Sequence, residues 1–485
     1  ENALSLRFKS RQKPPADNFE STDWSENYRA AGSFTGQRGN WTTALDGELV
    51  GTDDDLATLR TDGPKLDLSR GLGTIDYRDS TVFGTAGLGD VTVNSFNTLV
   101  HGPMTTRGVS FDAGFIDNAV RISGGNVYGN GIVGFQRGPE AWDEDNRRTA
   151  ADIALRPLQS PDFNLEVFGS LFDATRPVGQ SFNIATVDEG EKNTVVGTGV
   201  RVDMWENRIA LQSEIARSRY ANPENLNFLN EFGSTDIGPT FGNAQTHRLD
   251  ASVWQGDELQ VNAFGGYSIV DPLFNAIESF TSADRETWEY GATASWDIVS
   301  LSLSRTIFDN NVDDTPNILT TRQRSTLGNM SFDLEGFRSA EPEPTADGQA
   351  LPEAGWFDAL AIIPSSVSLN ASDERVESLN CAIAAANSSL NGSEFPNTRN
   401  VAAGIGFLWI WANGDTSVNF SRSIFDTRQI GRETADTVDS FVDLSQTFRG
   451  DVWSSQTRLA YGRSYNKEVT TESVSYRYEA GQSFT

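Results

Sequence analysis

The chain has 485 residues, and its 67 acidic against 38 basic side chains give a net charge of −29. So acidic a chain lacks the basic footprint of a nucleic-acid binder, and no nucleic-acid partner is expected. Mean hydropathy is −0.41, and the sequence holds no run of apolar residues long enough for a spanning helix. With two His and one Cys (Cys381), it allows no internal disulfide and offers little for metal or triad chemistry. No catalytic residue, metal or cofactor is expected. No charged leader with an apolar core opens the sequence, as expected once a signal peptide has been removed.

Period-two alternation runs from one end to the other. Over 41–50, one face reads Trp41, Thr43, Leu45, Gly47, Leu49 and the other Thr42, Ala44, Asp46, Glu48, Val50. Over 163–171, Phe163, Leu165, Val167 and Leu171 oppose Asn164, Glu166, Phe168 and Ser170. Leu259, Val261, Ala263, Gly265, Tyr267 and Ile269 oppose Glu258, Gln260, Asn262, Phe264 and Ser268. Roughly 22 such segments are counted, mostly about 8–13 residues long, against about 5–6 for soluble strands and about 9–11 for membrane-spanning ones.

Tight turns are predicted at Asp117–Asn118, Gln159–Asp162, Trp205–Asn207, Gly256–Glu258, Asp297–Ser300, Asn413–Asp415 and Arg449–Asp451. Longer polar stretches lie between them, at 173–192, 221–244, 271–285 and 309–321. Short turns on the periplasmic side and long loops outside are the pattern of an outer-membrane β-barrel. The expected fold is therefore all-β: one antiparallel transmembrane barrel over 1–485, of 18–24 strands with 22 the best fit, integral to the bacterial outer membrane. The turns near Asn207, Glu258 and Gly414 are expected in the periplasm, and 221–244 and 338–360 outside.

Trp288 and Trp296 share a face with Tyr290, Ala292 and Ala294, and a tilted strand would set them about 19 Å apart along the barrel axis. With Trp411 and Trp453 beside tight turns, they are read as aromatic girdles. The pattern breaks over 338–360, rich in Pro, Glu and Ala, and over 373–398, whose Asp373–Leu390 part reads as helical. Ile362–Ser372 between them reads as a strand. These two stretches are expected as long loops, one of them folding into the lumen as a partial plug.

Both His residues are weak catalytic candidates. His247 shares the apolar face of Leu249, Ala251 and Val253, and His101 sits in a Val-His-Gly-Pro turn. The polar faces are acidic instead. Asp46, Glu48, Asp152, Glu166, Asp203, Glu214, Glu258, Glu289, Asp297, Asp439 and Asp443 are expected to line the lumen, where carboxylates favour cations. A phrase recurs at strand ends, Arg305-Thr-Ile-Phe-Asp309, Arg422-Ser-Ile-Phe-Asp426 and Arg463-Ser-Tyr-Asn466. Parity turns Arg305, Arg422 and Arg463 toward lipid, at a height where guanidinium can meet lipopolysaccharide phosphate.

Gly89-Asp90-Val91 followed by Arg107-Gly108-Val109 resembles the Gly-Asp … Arg-Gly signature near the start of fimbrial usher pores and related secretion barrels. The resemblance covers a short stretch of the chain, without the usher's immunoglobulin-like plug or periplasmic domains. It implies export of a polymer or surface component. The residues alone leave two further readings, a passive cation-preferring diffusion porin and a membrane anchor whose loops bind protein partners. The expected partners are outer-membrane lipid and lipopolysaccharide, with periplasmic or surface proteins in the anchor reading; an enzyme is not expected.

Overall fold

The computed structural model describes residues 3–10, 27–52, 66–128, 146–176, 191–221, 239–315, 318–335, 363–379, 396–411, 413–427, 435–450, 452–467 and 469–484. The described residues form one sheet of 22 strands, the number favoured by the alternation. Among the described residues, no helix is long and apolar enough to cross a membrane. The chain divides into two compact units, 1–247 with 270–284, and 248–269 with 285–485.

The first unit holds β1 (Ala3–Ser10), β2 (Asn27–Arg38), β3 (Trp41–Thr52), β4 (Leu66–Arg78), β5 (Val82–Val93) and β6 (Met104–Phe115). It continues with β7 (Val120–Tyr128), β8 (Arg147–Gln159), β9 (Phe163–Arg176), β10 (Glu191–Met204), β11 (Ile209–Ala221) and the start of β12 (Thr240–Gln255). Each strand from β1 to β11 pairs antiparallel with the next. The second unit holds the rest of β12, nearly all of β13 (Leu259–Val270), and β14 (Arg285–Trp296), β15 (Val299–Asp309) and β16 (Thr321–Asp333). There follow β17 (Ser366–Ser378), β18 (Asn397–Trp411), β19 (Gly414–Thr427), β20 (Thr437–Arg449), β21 (Trp453–Asn466) and β22 (Glu472–Phe484). The same meander runs from β14 to β22.

Local chemistry closes the turns, including one at Asp79 that the sequence analysis did not predict. Asp79 Oδ1 accepts the N–H groups of Thr81 and Val82, each at 2.8 Å. These bonds hold its carboxyl below the usual carboxylate range. Ile116, Asp117 and Asn118 turn left-handed in succession, and Trp205, Glu206 and Asn207 repeat the device; Asp and Asn tolerate this backbone better than most residues.

Strands β8 to β11 alternate buried and more exposed side chains, with polarity reversed from a soluble sheet. In the first unit Leu88, Phe111, Ile153, Val167, Leu171 and Ile215 are exposed, while Asp152, Glu166 and Glu214 are buried. In the second, Trp288, Leu301, Leu303, Phe420 and Leu459 form the exposed face. A bare apolar face on strands of this length matches a sheet that meets lipid. Tryptophans mark the short-turn ends: Trp205 in the first unit, and Trp296, Trp411 and Trp453 in the second, with Trp296 61% exposed.

Two expectations are corrected. Residues 373–378, read as the start of a helical loop, complete β17; branched Val376 and the alternation through Arg375 and Glu377 suit a strand as well as a helix. The remainder of that stretch lies outside the described residues. The connection holding 338–360 leaves β16 at Leu334 and returns at Ser365, whose N–H donates to Leu408 O at 2.6 Å. Strand direction puts both residues at the end of the Asn413 turn. This long connection therefore joins the short-turn end of the second unit, opposite to the assignment made from its length; the structure of 338–360 itself lies outside the described residues, as do most of 173–192 and 221–244.

Candidate functional site

Residues 94–103, between β5 and β6, and 271–284, after β13, fold onto the polar face of the first unit. Leu99, Val100, Phe274 and Ala276 pack there against Val91, Val93, Phe172, Val195, Ala216 and Ala244 in one buried cluster. Close approach requires glycine at 242, where a Cβ would lie 2.2 Å from the Phe274 nitrogen. Sequence reasoning missed both segments. A signal existed in β9 and β10: Phe168, Phe172, Ala174 and Val195 interrupt a face otherwise carrying Glu166, Ser170 and Arg201.

The acidic residues predicted for this face are the anchors of the first segment. Glu214, 1% exposed, accepts the Thr98 N–H and hydroxyl, each at 2.7 Å. Asp152 Oδ1 accepts the Phe96 N–H at 3.1 Å, the Ser95 hydroxyl at 3.2 Å and the Ser170 hydroxyl. Asn97 Nδ2 donates to Thr198 O at 3.1 Å and Ile215 O at 3.2 Å. The second segment hangs on Asn193, which accepts Ile277 N–H at 3.1 Å and donates to Asn275 O at 2.7 Å. Arg148 meets Glu278 at 2.6 Å, and Gly102 N–H donates to Glu278 O at 2.8 Å, joining the two segments.

Arginines interleave with these acids. Glu166 takes Arg156 at 2.6 Å and Arg201 at 3.0 Å. Arg121 grips Asp112 through two bonds of 2.9 and 2.7 Å and lies over the Phe96 ring at 5.2 Å. Arg201 also lies over Phe168, and its Nη2 donates to Phe96 O at 3.4 Å. Asp203 accepts Asn164 Nδ2 at 3.1 Å. This polar face is thus a mosaic of paired charges beside the two segments, more balanced than the acid count alone suggests.

His101, 1% exposed, sits at the end of the first segment, 5.1 Å from the Phe172 ring. Its Nδ1 hydrogen-bonds Gly102 O at 2.7 Å, and Nε2 has no hydrogen-bond partner among the described residues. Burial pushes its pKa below the ordinary value, although the Gly102 carbonyl, Asp152 and Glu278 pull the other way. His247 stays on the apolar face, with Nδ1 2.8 Å from the Ser213 hydroxyl.

Of the other predicted wall acids, Asp46 and Glu48 on β3 and Glu289 on β14 oppose the apolar parity of Leu45, Trp288 and Tyr290. Asp443 pairs with Arg458 at 2.7 Å, and Asp439 Oδ2 accepts the Thr437 hydroxyl at 3.3 Å. Glu258 and Asp297 occupy the tight turns, where Asp297 N–H donates to Glu258 O at 3.1 Å. They lie one residue beyond the strands. Among the described residues, no group of three or more His, Cys, Asp or Glu is arranged to hold a metal ion.

The usher-like phrase becomes a cross-strand square. Gly89 stands opposite Gly108 and Asp90 opposite Arg107. Asp90 accepts Arg107 Nε at 3.1 Å and, with its other oxygen, the Gly71 N–H at 2.7 Å. Pairing of β4 with β5 stops at Leu72 and Gly89, so the carboxylate takes over where the ladder ends. Gly89 has φ +113°, and a Cβ there would lie 2.1 Å from Gly71 O.

Arg305, Arg422 and Arg463 all fall on the apolar face. Arg305 stands opposite Tyr290 and Thr326, and Arg422 and Arg463 both stand opposite Ser440. Arg463 pairs with Glu472 at 2.8 Å.

No family model and no curated protein matches the chain. Solved structures do. The P pilus usher (PapC) translocation pore is 11% identical, covers 95% of each chain and has a TM-score of 0.34. OccK11 (OpdR) of Pseudomonas aeruginosa is 11% identical, covering 87% of this chain and 94% of its own, with a TM-score of 0.34. OccK2 (OpdF) of Pseudomonas aeruginosa, solved with glucuronate, is 12% identical over 100% and 96%, with a TM-score of 0.29. Likeness at this level identifies no function.

Proposed function

We propose that the chain is an integral outer-membrane transport pore whose apolar face meets lipid and whose polar face lines a water-filled path. The carrying observation is the pair of segments 94–103 and 271–284, pinned by Glu214, Asp152 and Asn193 to the polar face of the first unit. Segments held on a lumen wall narrow it. That favours diffusion of small polar solutes over export of a polymer, which would have to displace both segments and break the bonds just described.

The chemistry of the narrowed stretch supports a mixed filter. Paired arginines and carboxylates offer donors and acceptors to a polar solute. In the second unit, the middle of β15 to β19 carries uncharged Ser302, Asn329, Ser368, Asn370 and Asn419 on the polar face. Residual acid excess predicts weak cation preference. Swelling of vesicles holding the purified chain tests this: small sugars should enter and oligosaccharides should lag. Entry of neither would contradict the pore.

A further inference from the structure

The register of the second unit lines up three like charges. On the apolar face, Arg324 stands directly opposite Arg375, and Arg375 directly opposite Arg399. Like charges facing one another destabilise a sheet, and carboxylates offset only part of this row; one of them, Asp426, stands directly opposite Arg399. Glu377 meets Arg324 at 3.1 Å and Arg375 at 2.7 Å, and Asp373 meets Arg399 at 2.8 Å. Those carboxylates engage one edge of each guanidinium. Arg305, diagonal to Arg324, makes no ion pair among the described residues, and the Nε groups of Arg305 and Arg375 are buried without an acceptor.

Height on the sheet identifies what could cover the row. Arg399 and Trp409 share a face of β18 ten residues apart, which on a tilted strand is about 23 Å along the membrane normal. An apolar band of an outer-membrane barrel is about 25 Å tall. With the tryptophan end at one interface, the arginine row reaches the headgroups of the other. Planar guanidinium groups bind phosphate through paired bonds, and lose little to hydration in doing so.

We propose that Arg305, Arg324, Arg375 and Arg399 form a docking site for the phosphorylated headgroup of an outer-leaflet lipid, of the lipid A type. This rests on the outer-membrane reading above. Sequence analysis had found only Arg305 of the four, because the others fall together through strand register.

The test is binding of fluorescent lipid A to the full refolded chain in neutral detergent, with insertion into phosphatidylcholine vesicles measured separately. The Arg324→Gln/Arg375→Gln/Arg399→Gln variant should bind at least about tenfold more weakly, and the corresponding triple Lys variant should fall between. Arg305→Gln, which breaks no ion pair, should weaken binding about threefold by the same reckoning. Arg477→Gln, on the opposite face of β22, should change nothing. Equal binding by wild type, the triple Gln variant and Arg305→Gln, all with folded-barrel gel mobility, would overturn the site. So would complete displacement of lipid A by millimolar inorganic phosphate, which would make it a free-phosphate site. Failure of the wild type to insert into vesicles at all would overturn the pore reading, and this site with it.

Discussion

Glu214 on β11 receives both the backbone N–H and the hydroxyl of Thr98, each at 2.7 Å, from a position 1% exposed. A carboxylate so buried is tolerable because its oxygens are satisfied; removing it strands two donors. Glu214→Ala should cost the segment about 1–3 kcal/mol of local stability while leaving the strand ladder intact. Hydrogen exchange at the amides of Thr98 to Val100 should accelerate by roughly tenfold or more by the same reckoning. Unchanged protection would mean that apolar packing alone holds the segment.

Gly89→Ala should damage the sheet itself. A residue with a side chain at φ +113°, its Cβ 2.1 Å from Gly71 O, must shift the β4–β5 junction. The expected loss is about 1–3 kcal/mol for the backbone strain, with the clash added. Gly84→Ala, where nothing lies within 4 Å of the new Cβ, is the control. Urea midpoints of the two variants in detergent should differ clearly; matching midpoints would mean that Gly89 is not required.

The buried His101 gives a pH dependence of known sign. Its pKa lies below 6.5 in the folded chain because burial opposes its charge, against the pull of Asp152 and Glu278. The unfolded segment therefore binds more protons between the two values, so its docking weakens as pH falls below 6.5. Protease cleavage within 94–103 should rise on acidification from neutral pH in wild type and rise less in His101→Phe. An acid-stabilised segment in wild type would reverse the sign and contradict the burial argument.

Topology follows from strand direction. An epitope inserted within 338–360 should be shielded on intact cells together with one at the Asn413 turn, while one within 222–238 should be reachable. Surface labelling of the 338–360 tag alone would break the strand assignment between β16 and β17.

The strands were legible because alternation repeats over about ten residues at a time, and their turns because Asn, Asp and Gly cluster at the reversals. Leu45 or Leu301 can be assigned a face with no knowledge of its neighbours. The two docked segments were not legible. Of residues 94–103 only the turn at His101 could be read, because their partners, Thr198, Ile215 and Glu214, lie more than a hundred positions away. Charge balance failed for the same reason: Glu166 was visible as an inward acid, but its two arginines come from the strands on either side. Loop length misled at 338–360, where parity of strand count, not size, fixes the side.

Single-channel conductance in planar bilayers tests the central claim most directly. A pore narrowed by the two segments should show discrete, small openings with weak cation preference, larger in Glu214→Ala than in wild type. A silent wild type whose Glu214→Ala variant is also silent, or a wide wild-type conductance unaffected by that change, would contradict the account.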